Sequence, residues 1–243
     1  MIGKKKIQPF SLNLKRGEIL GILGPNGCGK TTLLQTLAGF KPYEGKIFLD
    51  EKNIALLSFQ DMARKRAILF QEKTWPPFPQ SLYEYCLTSR FPHLPYFKKE
   101  SIEDKKIILA ALDAMSLLSM QHKDISTLSG GEKQRLAIGA LLAQTPRLYL
   151  LDEPTNHLDI KHRIQVLNYF RYLAKQQSCT IIISMHDINL ASHYCEYLLL
   201  LFPDGKTIQG KTNDILTTHH LNCLYDHPIK AMTIENKIYW SIN

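Results

Sequence analysis

The sequence predicts an α/β fold: a mainly parallel β-sheet with an antiparallel β flank and a helical subdomain inserted into it. Three observations carry this reading. Residues 18–23 (EILGIL), 148–151 (LYLL) and 180–184 (TIIIS) are nearly unbroken apolar runs, the pattern of strands covered on both faces by helices. Each run leads into glycine-rich or polar residues, at the sheet edge where open α/β folds hold their ligands. Between the first run and the second, apolar residues recur instead at helical spacings of three and four.

The elements follow in order. After the first strand a glycine-rich turn leads into a helix over 30–38, with Gly39 as its stop. Phe10 is expected in the strand that follows it, residues 45–50 (GKIFLD) in a strand of the antiparallel flank, and residues 67–70 in a strand that delivers Gln71. The stretch 75–79 (WPPFP) cannot continue a helix. Helical patterns then cover 82–89, 102–119 and 131–144, the second with Ile108, Leu112, Met115 and Leu118 on one face. From about residue 197 the tail offers short strands around Gly205 and Ile238 and a helix near 213–216. The chain therefore divides into a first part of the core (1–80), a helical subdomain (81–145), and a second part of the core with the tail (146–243).

Composition narrows the classes. At ~150 residues per domain, 243 residues make one large domain or two intimate ones. With 44% hydrophobic and 21% charged residues the chain can build a core, which excludes wholesale disorder. Lys plus Arg number 30 against 22 Asp plus Glu, a formal charge of +8 that favours anionic partners without selecting one. Five cysteines, Cys28, Cys86, Cys179, Cys195 and Cys223, are odd in number and contain no Cys-x-x-Cys. Neither a disulfide scaffold nor a zinc site fits them, and a reducing compartment does. The apolar stretches fall short of the ~20 residues that cross a bilayer, and no signal-peptide core follows the basic residues Lys4, Lys5 and Lys6. A soluble, cytoplasmic chain is expected.

Gly24, Pro25, Asn26, Gly27, Cys28, Gly29, Lys30 and Thr31 satisfy the phosphate-loop pattern G-x-x-x-x-G-K-[ST] between a strand and a helix. The glycines turn backbone N–H groups inward and the helix start adds positive potential. Lys30 reaches the β- and γ-phosphates, the Thr31 hydroxyl binds Mg²⁺, and Thr32 completes the nucleotide-binding stretch. The same potential is expected to lower the Cys28 thiol pKa, so that alkylation blocks turnover. Asp152 and Glu153 end an apolar strand as a carboxylate pair: one to orient Mg²⁺ through water, the other to polarise an attacking water as general base. Ser129, Gly130, Gly131 and Glu132 open a helix with a serine cap and much bare backbone, a second anion site.

With Leu128 these residues read LSGGE, and here the sequence resembles the ATP-binding-cassette ATPases of the P-loop NTPase (RecA-like) class, whose signature is LSGGQ. The resemblance spans nearly the whole chain, with its motifs in the family's order. It implies that Gln71 is the Q-loop glutamine touching Mg²⁺ and the attacking water, Asp159 the D-loop aspartate, and His186 the switch histidine beside the γ-phosphate. It also implies a homodimer that sandwiches ATP, with Ser129, Gly130, Gly131, Glu132 and Asp159 acting in trans on the partner's nucleotide. Lys30, Glu153 and His186 are then the catalytic set, and Thr31, Gln71 and Asp152 the metal ligands.

Arg90, Phe91, Pro92 and His93 resemble the G-R-[YF]-P-H stretch of importer ATPases for iron–siderophore complexes, haem and cobalamin, with Ser89 where glycine is usual. The same four residues also read as a helix end broken by proline. The resemblance implies a peripheral subunit on the inner face of a membrane, bound to permease subunits and served indirectly by an extracytoplasmic substrate-binding protein. Of the aromatics Trp75, Phe78, Tyr83, Phe91 and Tyr96, those that are exposed are expected to line the permease groove and the others to be core. Family members also carry an aromatic that stacks on adenine well before the phosphate loop; Phe10 does not take that place, and weaker nucleotide affinity follows. Two other classes stay open: a cassette ATPase acting without a permease, and a scaffold that binds nucleotide without turnover. Nucleic acid is not an expected partner, since no basic helix or aromatic ladder is present.

Overall fold

The computed structural model describes residues 7–71, 75–94, 99–235 and 237–242. The basic residues at 4–6 and Tyr96 lie outside them. In chain order the elements are β1 (Ile19–Leu23), α1 (Lys30–Leu37), β2 (Phe48–Leu49), β3 (Lys52–Asn53), α2 (Phe59–Lys65) and β4 (Arg66–Leu69). Then come α3 (Leu82–Thr88), α4 (Ile102–Ala114), α5 (Gly130–Ala143), β5 (Leu148–Asp152), α6 (Ile160–Gln177), β6 (Thr180–Ser184) and α7 (Ile188–Tyr194). The chain closes with β7 (Tyr197–Leu201), β8 (Thr207–Lys211), α8 (Thr212–Ile215), α9 (Thr218–Tyr225), β9 (Ile229–Ile234) and β10 (Lys237–Ile242).

The main sheet has six strands in the order β4-β5-β6-β1-β7-β8. All neighbours are parallel except β7 and β8. Its central strands alternate their apolar side chains between two cores. Leu20, Ile22, Leu150, Ile182 and Leu199 meet Leu33 and Leu34 of α1 on one face. Ile19, Leu23, Tyr149, Leu151, Ile181 and Ile183 pack on the other face with α5 and α6. This two-sided burial is why those strands are continuously apolar in sequence.

Each longer helix of the inserted segment starts with a reciprocal cap. Ser81 with Glu84, Ser101 with Asp104, and Ser129 with Glu132 each satisfy two of the N–H groups that a helix start leaves free. Helix α5 runs between α3 and α4 and is buried from Gln134 to Ala143.

Several sequence expectations need correcting. The helix expected to reach 119 stops at Ala114, because Ser116 turns left-handed (φ 55°) and Leu117 folds back to Leu112 O at 2.8 Å. A short 3₁₀ turn, Leu118–Met120, follows. The strand expected over 45–50 shrinks to two residues, since Asp50 and Glu51 are both left-handed and close the hairpin at once. Phe10 is in no strand; it packs half-buried against the α1-side core. Gly205 is the turn between β7 and β8 rather than a strand. Helix α9 was not anticipated, its apolar face being only Leu221 and Leu224 in a run of Thr, His and Asn. The tail hairpin is fixed to the core by Asn189, whose side chain bonds the backbone of Trp240 in both directions, at 3.1 and 2.8 Å.

Candidate functional site

The turn expected to bind phosphate, Gly24 to Thr31, is built by backbone conformation. Gly27 (φ 75°) and Gly29 (φ 113°) sit in the left-handed region that favours glycine. A Cβ at Gly24 would lie 2.4 Å from Leu201 O and 2.7 Å from Cys28 Sγ, so only hydrogen fits where the turn leaves β1. Lys30 opens α1 and is buried; its Nζ donates to Gly24 O at 2.8 Å and to Pro25 O at 3.2 Å. The ammonium is thus held beneath the turn it serves. Pro25 and Thr31 are half-buried, while Asn26, Gly27 and Thr32 are exposed. Cys28 is buried, and its thiol departs from expectation: burial raises its pKa and outweighs the lowering by the Lys30 charge.

The carboxylate pair arrives by strand register. In the parallel ladders Asp152 faces Ser184, and Ser184 faces Ile22, two residues before Gly24. The chain turns that follow these strands therefore share one edge of the sheet. Ser184 is fully buried; its hydroxyl donates to Asp152 Oδ1 at 2.7 Å and accepts from the Glu153 N–H at 2.9 Å. Asp152 Oδ2 is buried without a partner. An unpaired buried carboxylate oxygen is costly, and it suits a hydrated cation.

Glu153 takes a left-handed conformation (φ 48°), which turns its side chain out of the strand line. Its carboxylate collects three groups from three loops. Gln71 Nε2 donates to Oε2 at 3.1 Å and Asn156 Nδ2 to the same oxygen at 2.5 Å, while His186 Nε2 meets Oε1. A carboxylate can only accept, so Nε2 carries the proton in that pairing. Glu153 is buried and His186 half-exposed. Gln71, Glu153 and His186, three residues singled out from sequence, are therefore in direct contact.

The second anion-binding candidate is formed differently. Ser129 caps α5, its hydroxyl donating to Glu132 Oε2 at 2.7 Å and accepting from the Glu132 N–H. The Ser129 hydroxyl, then the Ser129 N–H at 2.8 Å, hold the Glu132 carboxyl below its usual range. Gly130 is exposed with open space where a Cβ would be, whereas a Cβ at Gly131 would sit 3.2 Å from His157 O. Gln134 Nε2 donates to Pro154 O at 2.7 Å, tying the signature helix to the turn after Glu153. Asp159 is exposed, caps α6 through the His162 N–H at 2.8 Å, and faces His162 Nδ1. The backbone bond from His162, then the imidazole, lower its pKa.

Arg90 is not a mere helix end. Buried, it donates to Asp104 Oδ1, Ala143 O and Thr145 Oγ1, each at 2.9 Å. His93 Nε2 pairs with Gln144 O at 2.9 Å, and Arg64 of α2 donates to Pro92 O at 2.7 Å. The four residues thus join α2, α4 and the end of α5. Phe91 between them is exposed, as is Phe78. Trp75 meets Tyr85 with ring centroids 5.3 Å apart and the planes tilted, and both Trp75 and Tyr83 are half-buried against the core.

Two residues of this site escaped the sequence reading. Ser184 ends an apolar strand as Asp152 does, and that shared ending was the signal available. Asn156 stands three residues after Glu153, the spacing of a turn, and Asn156 N reaches Glu153 O at 3.2 Å.

Comparison with known proteins places these features in a family. The model described as ABC transporter matches residues 7–156. The iron(3+)-hydroxamate import ATP-binding protein FhuC of Bacillus subtilis is 35% identical over 218 residues, 86% of this chain and 80% of that protein. Among solved structures, an inward-facing conformation of a metal-chelate type ABC transporter matches with TM-score 0.81 and 28% identity, covering 96% of this chain and 88% of that one. A dimeric post-hydrolysis state of an ATP-binding cassette bound to ADP and Pi matches with TM-score 0.72 and 28% identity, covering 85% and 95% respectively.

Proposed function

Because the chain belongs to the ABC transporter family, we propose that it is the ATP-hydrolysing subunit of an importer for a metal chelate: an iron–siderophore complex, haem or cobalamin. Glu153 carries the hydrolytic part of this reading: a buried carboxylate, held by His186 and Gln71, beside a phosphate-binding turn. The similarity to the iron-hydroxamate import protein and to the metal-chelate transporter supports the cargo class. So does the segment Arg90 to His93, packed as a structural joint.

The backbone of Gly24 to Thr31 cradles the phosphates of ATP, and Lys30 exchanges its two loop carbonyls for phosphate oxygens. Thr31, Gln71 and Asp152 would hold Mg²⁺, for which the unpartnered Asp152 Oδ2 is the fitting donor. When bound, the ion would neutralise charge on the β- and γ-phosphates. Glu153 accepts a proton from the attacking water as general base, and His186, which meets Oε1 in this structure, turns to the γ-phosphate when nucleotide binds. In a homodimer, Ser129, Gly130, Gly131, Glu132 and Asp159 of one protomer close over the nucleotide of the other; the dimeric cassette with ADP and Pi is the supporting precedent. ATP then bridges two protomers, and its cleavage lets them part.

Among the described residues no helix is long and apolar enough to cross a membrane. Work on a solute therefore requires permease subunits, with the chain peripheral on the cytoplasmic side. Phe78 and Phe91 are the exposed aromatics offered to them. The test is Glu153→Gln. It should keep ATP binding, trap an ATP-dependent dimer on size exclusion, and lower kcat by ~10²–10⁴, the usual cost of losing a general base. Parental turnover by that variant removes Glu153 from its role.

A further inference from the structure

Glu153 has more partners than the switch histidine and the Q-loop glutamine. The chain leaves β5 through the left-handed Glu153 and reverses within three residues, closed by Asn156 N on Glu153 O at 3.2 Å. That turn brings the Asn156 amide back onto the side chain it started from. Nδ2 donates to Oε2 at 2.5 Å, closer than the 3.1 Å of Gln71 Nε2 to the same oxygen. Gln71 and His186 arrive from separate loops, and His186 is half-exposed. Asn156 is bound to Glu153 by the covalent turn itself.

We propose that Asn156 is a positioning residue for hydrolysis, its amide fixing the Oε2 edge of the Glu153 carboxylate so that the other edge is presented to water. This rests on Glu153 being the general base. A carboxylate can rotate about its last bond, and a base works only when its lone pair points at the proton it takes. His186 on Oε1 and Gln71 on Oε2 must be free to rearrange when nucleotide arrives. A donor supplied by the same turn keeps the carboxylate aimed while they do. A hydrogen bond to a charged group is among the stronger ones in proteins.

A purely structural role for Asn156, as a turn former, is separable from this one. Asp is as good a turn residue as Asn, so Asn156→Asp preserves the turn while replacing the donor with a second carboxylate. Steady-state hydrolysis of Mg-ATP by the full chain should show kcat reduced roughly tenfold in Asn156→Ala, as loss of one charge-assisted bond implies. The KM for ATP should stay within about twofold, because the amide touches the base and not the phosphate-binding turn. Asn156→Asp should fall further than the Ala variant, because its carboxylate repels the Glu153 carboxylate that the amide held. An aspartate variant as active as the parent, or a loss confined to KM, overturns the proposal while Glu153→Gln remains inactive. If Glu153→Gln itself turns over normally, the general-base reading fails first and Asn156 has no base to position.

Discussion

The two halves of the candidate site are made in opposite ways. The turn proposed to bind phosphate is eight consecutive residues, shaped by left-handed glycines and by a lysine that bonds its own loop. The carboxylate cluster draws Gln71, Glu153, Asn156, Ser184 and His186 from segments up to 115 positions apart, counting from 71 to 186. One is a local conformation; the other exists only while three parallel strands keep register. Damage should therefore spread differently from each.

Ser184→Ala gives the largest effect on stability. It leaves the buried Asp152 oxygen and the Glu153 N–H without their partner, a cost of about 2–4 kcal/mol. Urea unfolding should show this as a lower midpoint with the slope unchanged, and kcat should fall as the cluster loses its floor. Stability equal to the parent would mean that the cluster does not depend on the strand pair. Gly24→Ala should cost about 1–3 kcal/mol by overpacking against Leu201 O and Cys28 Sγ. Its loss should appear mainly as weaker ATP binding in a titration, because the cluster stands on other strands. A variant with normal affinity and a lowered kcat would reverse the contrast.

The smallest effect concerns Cys28. Burial raises its pKa, so iodoacetamide should label the exposed Cys223 first and reach Cys28 slowly at neutral pH, faster as pH rises. Rapid labelling of Cys28 at neutral pH would show the helix start, not burial, in control of the thiol.

The same division explains what could be read from the sequence. The turn was legible because its residues are adjacent and their types are demanded by backbone shape. The strands were legible because burial on both faces forces unbroken apolar runs. Ser184 and Asn156 were not, because a serine after four apolar residues and an asparagine in a turn acquire meaning only from the groups opposite them. Cys28 was misjudged for a related reason. The helix start that lowers a thiol pKa is visible in sequence, while the burial that raises it is a product of the fold. Helix α4 ended early because Ser116 adopts a left-handed turn, which the apolar spacing does not announce.

The amino-acid order alone determined the family resemblance, the α/β class, the phosphate-binding turn and the capped start of α5, since each depends on neighbours a few positions apart. Folding in three dimensions decided which donors hold Glu153, which Asp152 oxygen is left without a partner, and that Arg90 to His93 join three helices. Those outcomes rest on strand register and on burial, which belong to the whole packed chain and to no short stretch of it.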